Sequence, residues 1–378
     1  MKIFGITCEF NPFHTGHKYL IEQTKAKTGA EGIVCVMSGS MVQRGDVAIY
    51  DKWTRAKSAV ENGADLVVEL PVCYVLQSAD VFAKGAVQIL NAIGCDGISF
   101  GSECTDINLL YKLAEFKSHE PAEYSAALKE ALDKGAGYPT ACEIAAGKVL
   151  GGLPPEITSP NSTLGISYIA AANMINPNLE IHIEKRHGDY HSREVKGEFA
   201  SATALRQKIL SGDKISDYLL CTNDEIYDIN NISALILGFF RMANAQSLSN
   251  IAGMEPGLAN RLITLSKECT SYEEFASHCV TKRYTLHRIR RVILCSLLGI
   301  TQAPKPTYIR VLALNSKGAG ILKQLKKQGC ALEVITKISN SSQRDSHMLR
   351  EDILSTDIAA LCAGKRASMD YTTTPIII

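Results

Sequence analysis

Residues 3 to 20 read Ile3-Phe4-Gly5-Ile6-Thr7-Cys8-Glu9-Phe10-Asn11-Pro12-Phe13-His14-Thr15-Gly16-His17-Lys18-Tyr19-Leu20, and this stretch decides the fold. An apolar run breaks at Asn11-Pro12 and gives way to an amphipathic segment, the pattern of a strand, a turn and a helix. Pro12 has no backbone donor and biases Asn11 toward extended geometry, so the strand is predicted to end there and the helix to begin near Thr15-Gly16. His14 and His17 then stand at the mouth of that helix. A helix N-terminus carries unpaired N–H groups and a partial positive charge, and two imidazoles three residues apart add donors aimed at the same place. The arrangement suits phosphate oxygens; a pair of solvated helix-start histidines is the plainer alternative.

Working outward, residues 32–37 form a short buried strand that ends in Ser38-Gly39-Ser40. Residues 51–62 carry helical periodicity up to Gly63, 66–68 are a third strand closed by Pro71, 78–92 a helix, and 97–100 a fourth strand with Gly101 and Ser102 at its end. This alternation predicts an α/β fold, a doubly wound parallel sheet with right-handed crossovers. Ligands of such sheets bind outside the carboxyl ends of the strands. The loop 38–46, with Gln43 and Arg44, therefore belongs beside the first loop, Arg44 acting either as an anion partner or in a surface ion pair with Asp46 or Asp51.

A helical insertion over about 106–175, interrupted at 135–139 and 151–155, is longer than a normal crossover. Within it Asn161 is placed either to cap a helix or to contact a nucleotide. A fifth strand at 179–183 feeds a donor-rich loop, 186–192. Ser201-Ala202-Thr203-Ala204-Leu205-Arg206 then opens another helix, where Ser201 or Thr203 can cap N–H groups and Arg206 offers a planar fork to phosphate oxygens. From 216 onward the pattern is mainly helical. Residues 307–313, a helix over 317–327 and residues 331–335 make a small βαβ unit, and 372–378 are a terminal strand or a loose tail.

The chain has 378 residues, 46% hydrophobic and 21% charged, which is ordinary globular composition with room for about two domains. No apolar run approaches the roughly 20 residues that span a bilayer, and the N-terminus opens as a strand rather than a cleavable signal. A cytoplasmic protein with no membrane partner is expected. Its twelve cysteines are scattered without a C-x-x-C or a zinc-ligand spacing, so they read as reduced core residues with no metal site. Charge is uneven: residues 275–332 hold eleven Lys and Arg and no Asp or Glu, leaving about −10 on the rest of a chain whose net charge is +1. A basic surface confined to one region is the footprint of a polyanion, unless it is only a solvated helix face.

His14-Thr15-Gly16-His17 after an N-terminal strand resembles the H-x-G-H signature of the nucleotidylyltransferase superfamily. Together with 38–46, 63–71, Phe100-Gly101-Ser102-Glu103, 160–165 and 186–192, it resembles the bacterial tRNA(Met) cytidine acetate ligase family, in order to about residue 210 and more loosely beyond. The resemblance implies a Rossmann-like, ATP-binding catalytic domain over 1–215 and a mainly helical, basic, tRNA-binding domain over 216–378. It implies ATP-dependent activation of acetate as acetyl-adenylate, then acetylation of N4 of the wobble cytidine of elongator tRNA(Met), with no DNA partner. His14, His17 and Arg206 are the implied catalytic residues. Thr7, Cys8, Glu9, Phe10, Asn11, Pro12, Phe13, His14, Thr15, Gly16, His17, Lys18, Tyr19 and Leu20, with Gly101, Asn161, Arg186, Ser201 and Thr203, are the implied ATP contacts. Lys282, Arg283, Arg288, Arg290 and Arg291 are the expected tRNA contacts. Ala202 departs from the superfamily pattern, which often has a hydroxyl there. Magnesium is admitted but not demanded. Two other readings stay open: an adenylyltransferase that joins AMP to a small phosphorylated metabolite, against which the basic stretch argues, and an RNA-binding module with a decayed nucleotide pocket, against which both histidines and Arg206 argue.

Overall fold

The computed structural model describes residues 1–186, 201–213 and 218–378, so of the donor-rich loop only Arg186 lies within the described residues. The strands are β1 (Ile3–Cys8), β2 (Gly32–Ser38), the short pair β3 (Met41–Val42) and β4 (Asp46–Val47), then β5 (Leu66–Leu70), β6 (Gly97–Ser102), β7 (Glu180–Lys185), β8 (Tyr308–Leu314), β9 (Glu333–Ile335) and β10 (Ile376–Ile377). β3 and β4 form a hairpin of their own; the other eight strands make one sheet in the order β10-β8-β5-β2-β1-β6-β7, with β9 on β8. From β5 to β7 all neighbours are parallel. The chain leaves β1 toward β2 and β5, then crosses to β6 and β7, so the order reverses beside β1. In open α/β sheets that reversal places the ligand crevice at the carboxyl ends of β1 and β6.

β2 shows why the sheet is doubly wound. Ile33, Cys35 and Met37 face one core with Ile21 of α1 (Thr15–Thr28) and Trp53, Ala56 and Val60 of α2 (Lys52–Glu61). Val34 and Val36 face the other core, which holds Phe82, Val87 and Leu90 of helix Ala79–Ile93 and Ile166 and Ile169 of helix Pro160–Ile175. A strand covered on both faces reads as an unbroken apolar run. β1 ends at Cys8, three residues before Asn11, because Phe10 turns the chain at a φ of 47°. Asn161 is not a cap: Ser159 holds that position in helix Pro160–Ile175.

The expected boundary at 215/216 cuts through the sheet rather than beside it. β8 pairs antiparallel with β5, and β9 and β10 add in parallel to β8, so the small βαβ unit extends the N-terminal sheet instead of standing alone. The physical reason is β5: all five of its residues are buried, and an uncovered edge there would expose an unpaired ladder. Periodicity in 307–313 marks a strand without naming its partner. The chain end, open between strand and tail, is a strand at Ile376–Ile377.

A buried ionic cluster ties this extension down. Lys52, at 0% exposure, lies 2.8 Å from Glu69 Oε1 and 2.9 Å from Asp370 Oδ1, and Arg310 reaches Asp370 Oδ1 at 3.1 Å. Two cations and two carboxylates balance, and they come from α2, β5, β8 and the segment Met369–Thr372. Removing one partner strands charge in the interior, which costs about 3–5 kcal/mol. Asp370→Asn should therefore lower the urea midpoint by that equivalent; a midpoint within error of the parent would show that the cluster contributes nothing to stability.

Candidate active site

His14 is the N-cap of α1. Its Nδ1 accepts from Gly16 N at 3.1 Å, and His17 Nδ1 accepts from His14 N at 3.3 Å, so the two imidazoles complete a capping box in place of Ser and Glu. The rings stack with centroids 3.8 Å apart. Phe10 and Phe13, both buried, pack edge-on and tilted against the His17 ring. His14 is 5% exposed, which removes the solvated-histidine alternative. Burial first, then the Arg186 and Arg206 guanidiniums, push the His14 pKa down to about 3; burial, His14 and Arg186 hold His17 well below its usual range. Both rings are thus neutral near pH 7. With Nδ1 accepting a backbone N–H, each carries its proton on Nε2, as a donor for an oxyanion. Thr15 Oγ1, in the first turn, is buried with no partner among the described residues.

Three arginines surround this head. Arg206, on helix Ala202–Ser211, donates from Nη1 to Asn11 O (2.6 Å) and from Nη2 to Thr203 Oγ1 (3.2 Å), and Arg44 Nη1 donates to the same hydroxyl at 3.2 Å. Ser201 caps that helix by accepting from Ala204 N, so Thr203 supplies the hydroxyl in the arginine cluster and Ala202 none. Arg186 Nε lies 3.7 Å from Glu103 Oε1, which also accepts from Asn161 Nδ2 at 2.6 Å. A Cβ on Gly101 would come within 3.1 Å of Arg186 Cγ, so the arginine stem packs directly over this glycine. Glu103 is therefore an orienting residue for both Asn161 and Arg186, a role that only their meeting in space discloses.

The loop 38–46 is held from three sides. Glu9 Oε1 accepts from Gln43 N (2.6 Å) and Ser38 Oγ (3.3 Å). Arg55, fully buried on α2, spends its guanidinium on main-chain carbonyls: Glu9 O at 2.5 Å, Ser38 O at 3.2 Å, Tyr50 O at 3.0 Å, and Gly39 O. It ties together the carboxyl ends of β1 and β2, yet in the sequence it is one charged residue on a helical pattern. Helix Leu286–Leu298 closes the third side, where Arg291 Nη1 donates to Gln43 O (3.1 Å) and His287 Nδ1 lies 3.3 Å from Arg44 O, and Tyr272 OH, from helix Tyr272–His278, donates to Gly45 O (2.9 Å). Gly45 has a φ of 77°, and a Cβ on it would meet Arg291 N at 2.5 Å, so only glycine lets helix and loop touch.

The other expected residues have the following neighbours. Thr7 sits beside Tyr168, and Cys8, whose thiol burial and Cys35 push well above its usual range, donates weakly to Val36 O. Lys18 pairs with Glu22 on the surface, Tyr19 reaches Glu184 of β7, and Leu20 packs on the core. The Asn11–Pro12 bond is cis, and Asn11 Oδ1 accepts from Ile49 N at 2.8 Å. The basic stretch is not one face. Arg310 is buried in the sheet; Arg290, 14% exposed, pairs with Glu273; Arg283 and Arg288 both pair with Glu255. Lys282 and Arg283 are exposed. Segment 218–220, unmarked by any motif, braces the histidine loop through Thr15 N to Tyr218 O (3.1 Å) and Leu220 N to Phe13 O (3.3 Å).

The neutral histidine carries a pH signature. The unfolded chain takes up a proton near 6.5 that folded His14 refuses until about 3, so stability is intact above 6.5 and falls as the pH drops through that window. The slope is about 1.4 kcal/mol per pH unit for one such group. His14→Gln should flatten the acid limb of stability by up to one proton between pH 6.5 and 4, read from urea midpoints; an unchanged limb would mean that folded His14 titrates normally.

A sequence model of the family described as HIGH Nucleotidyl Transferase matches residues 1–373. The tRNA(Met) cytidine acetate ligase of Acetivibrio thermocellus is 34% identical over 100% of both chains, and that of Thermoanaerobacter sp. (strain X514) is 37% identical over 98% of this chain and 97% of its own. The crystal structure of Thermotoga maritima TmcAL bound with alpha-thio ATP superposes with a TM-score of 0.89 at 29% identity, and its apo form with 0.90 at 28%, each over 100% of both chains. The chain belongs to the HIGH nucleotidyl transferases and, among them, to the tRNA(Met) cytidine acetate ligases.

Proposed function

We propose that this chain is an ATP-dependent ligase that activates acetate as acetyl-adenylate and acetylates N4 of the wobble cytidine of elongator tRNA(Met). The observation that carries the proposal is the gathering of two neutral imidazoles at the N-terminus of α1 with Arg186 and Arg206, which Arg44 joins through the Thr203 hydroxyl. An acetate oxygen attacks the α-phosphorus of ATP, the bond from that phosphorus to the bridging oxygen breaks, and pyrophosphate leaves. Chemistry of this kind depends on positioning and on stabilising the leaving charge rather than on a nucleophilic side chain. His14 and His17 would donate to the phosphates while Arg44, Arg186 and Arg206 neutralise them, and Asn161, held by Glu103, would help seat the nucleotide. In the second step N4 attacks the acyl carbon, the carbon–oxygen bond to AMP breaks, and N4 gives up a proton.

Magnesium enters this proposal as a companion of the triphosphate. Among the described residues, the one gathering of three metal-ligating side chains includes none of the groups at the head of α1. Residues 1–215, with the strands Tyr308–Leu314 and Ile376–Ile377 that extend their sheet, would hold the ATP chemistry, and the exposed basic residues of the later helical region would hold the tRNA. Arg290 and Arg291 are engaged with Glu273 and the loop 38–46, so the exposed Lys282 and Arg283 are the better tRNA contacts. Free cysteines throughout agree with action in the cytoplasm, and no helix among the described residues is long and apolar enough to cross a membrane.

Two experiments test the proposal. His17→Ala should lower acetate-dependent ATP–pyrophosphate exchange by about 10²–10³, the usual loss for one preorganised donor; an undiminished rate would remove His17 from the reaction, and exchange that ignores acetate would overturn the substrate. The double variant Lys282→Ala, Arg283→Ala should flatten the dependence of log K for tRNA on log salt by up to about 2 while leaving exchange intact. Arg291→Ala should do the reverse and impair exchange, because it releases the Gln43 carbonyl.

A further inference from the structure

Cys269, Glu274 and His278 gather where the chain enters helix Tyr272–His278 and where that helix ends. None of them belongs to the histidine–arginine cluster. Their ligating atoms lie within 4.8 Å of one another, and Cys269 Sγ stands 3.6 Å from His278 Nδ1. A tetrahedral zinc, with bonds of about 2.3 Å to sulfur and about 2.0–2.1 Å to nitrogen, holds those two atoms roughly 3.6 Å apart. We propose that Cys269, Glu274 and His278 form a three-ligand site for a borderline-soft divalent cation, zinc foremost, with water in the fourth position.

The surroundings suit this reading. Glu274 is oriented by Thr270, whose N (2.7 Å) and Oγ1 (3.2 Å) both donate to Oε2, the kind of outer support that ligating carboxylates receive. Cys269 is buried and His278 exposed, so an ion reaches the site from the surface and keeps one position open to solvent. The nearby guanidiniums are turned to main-chain carbonyls: Arg241 Nη2 to Cys269 O, Arg261 Nη2 to His278 O and Arg261 Nε to Cys279 O. Thiolate, imidazole and carboxylate together are a zinc-type donor set. The Cys269 thiol, pushed up by burial and by Glu274 and Glu268, is protonated without the ion. Binding therefore releases that proton as the sulfur–metal bond forms. The spacing C-x4-E-x3-H has one cysteine and one histidine, so no zinc spacing in the sequence announced it. An ion here would clasp the helix whose Tyr272 hydrogen-bonds to Gly45 O on the loop 38–46.

The test is titration of the full-length, chelator-treated protein with Co²⁺ alone. A thiolate-to-cobalt charge-transfer band with tetrahedral ligand-field bands should saturate at one ion per chain and be displaced by Zn²⁺. Cys269→Ser and His278→Ala should each abolish it, whereas Cys279→Ser, at the neighbouring buried thiol, should leave it in place. His278 is exposed, so its variant tests the ligand set even where the buried Cys269 variant folds poorly. Absence of a thiolate band, leaving only a thiol–imidazole hydrogen bond, would overturn the proposal, and so would a band that survives both Cys269→Ser and His278→Ala.

Discussion

Arg44, Arg186, Arg206, His14 and His17 are gathered at the end of a sheet, where Glu9, Asp46 and Glu103 act on the arginines, and the surrounding structure has to hold these groups in place before any anion arrives. Crowding like charges in a partly desolvated crevice is unfavourable, and the relief is local. Burial keeps the histidines neutral, so two of the five groups add donors without adding charge. The arginines lean on oxygen dipoles, Arg206 on Asn11 O and Arg44 on the Thr203 hydroxyl, and Glu103 faces Arg186. A triphosphate entering this crevice would meet guanidiniums and neutral imidazole donors that the fold already holds in place.

Holding such a crevice requires stiff supports on both sides of the loop 38–46. On the inner side Arg55 gathers the carbonyls that end β1 and β2. On the outer side helix Leu286–Leu298 touches Gly45 directly, with Arg291 and Tyr272 binding the carbonyls of Gln43 and Gly45. The helical region is thus in contact with the nucleotide-side loop that carries Arg44. A partner that shifts helix Leu286–Leu298 would move Arg44 with it, giving the two halves of the proposed reaction a physical connection. The ionic cluster of Lys52, Glu69, Arg310 and Asp370 does the same for the sheet, locking the chain's last strands onto β5.

What the sequence determined by itself is local in character. The strand–turn–helix at residues 3–20, the doubly wound alternation up to β7, and the helix starting at Ser201-Ala202 follow from periodicity, proline chemistry and capping, all of which act over a few residues. The place of His14 and His17 at the mouth of a helix was legible because capping acts over a few residues. Tertiary structure decided whatever depends on two distant segments meeting. β8 joins β5 because a buried edge must be covered, and nothing within 307–313 names that partner. Arg290, Arg291 and Arg310 counted as a basic surface in the sequence and turned inward in the fold, because net charge along a chain says nothing about which carbonyl or carboxylate a guanidinium will find. Arg55, Glu103 and the Cys269–Glu274–His278 group were invisible for the same reason: each takes its meaning from atoms that only folding brings within hydrogen-bonding or ligand distance.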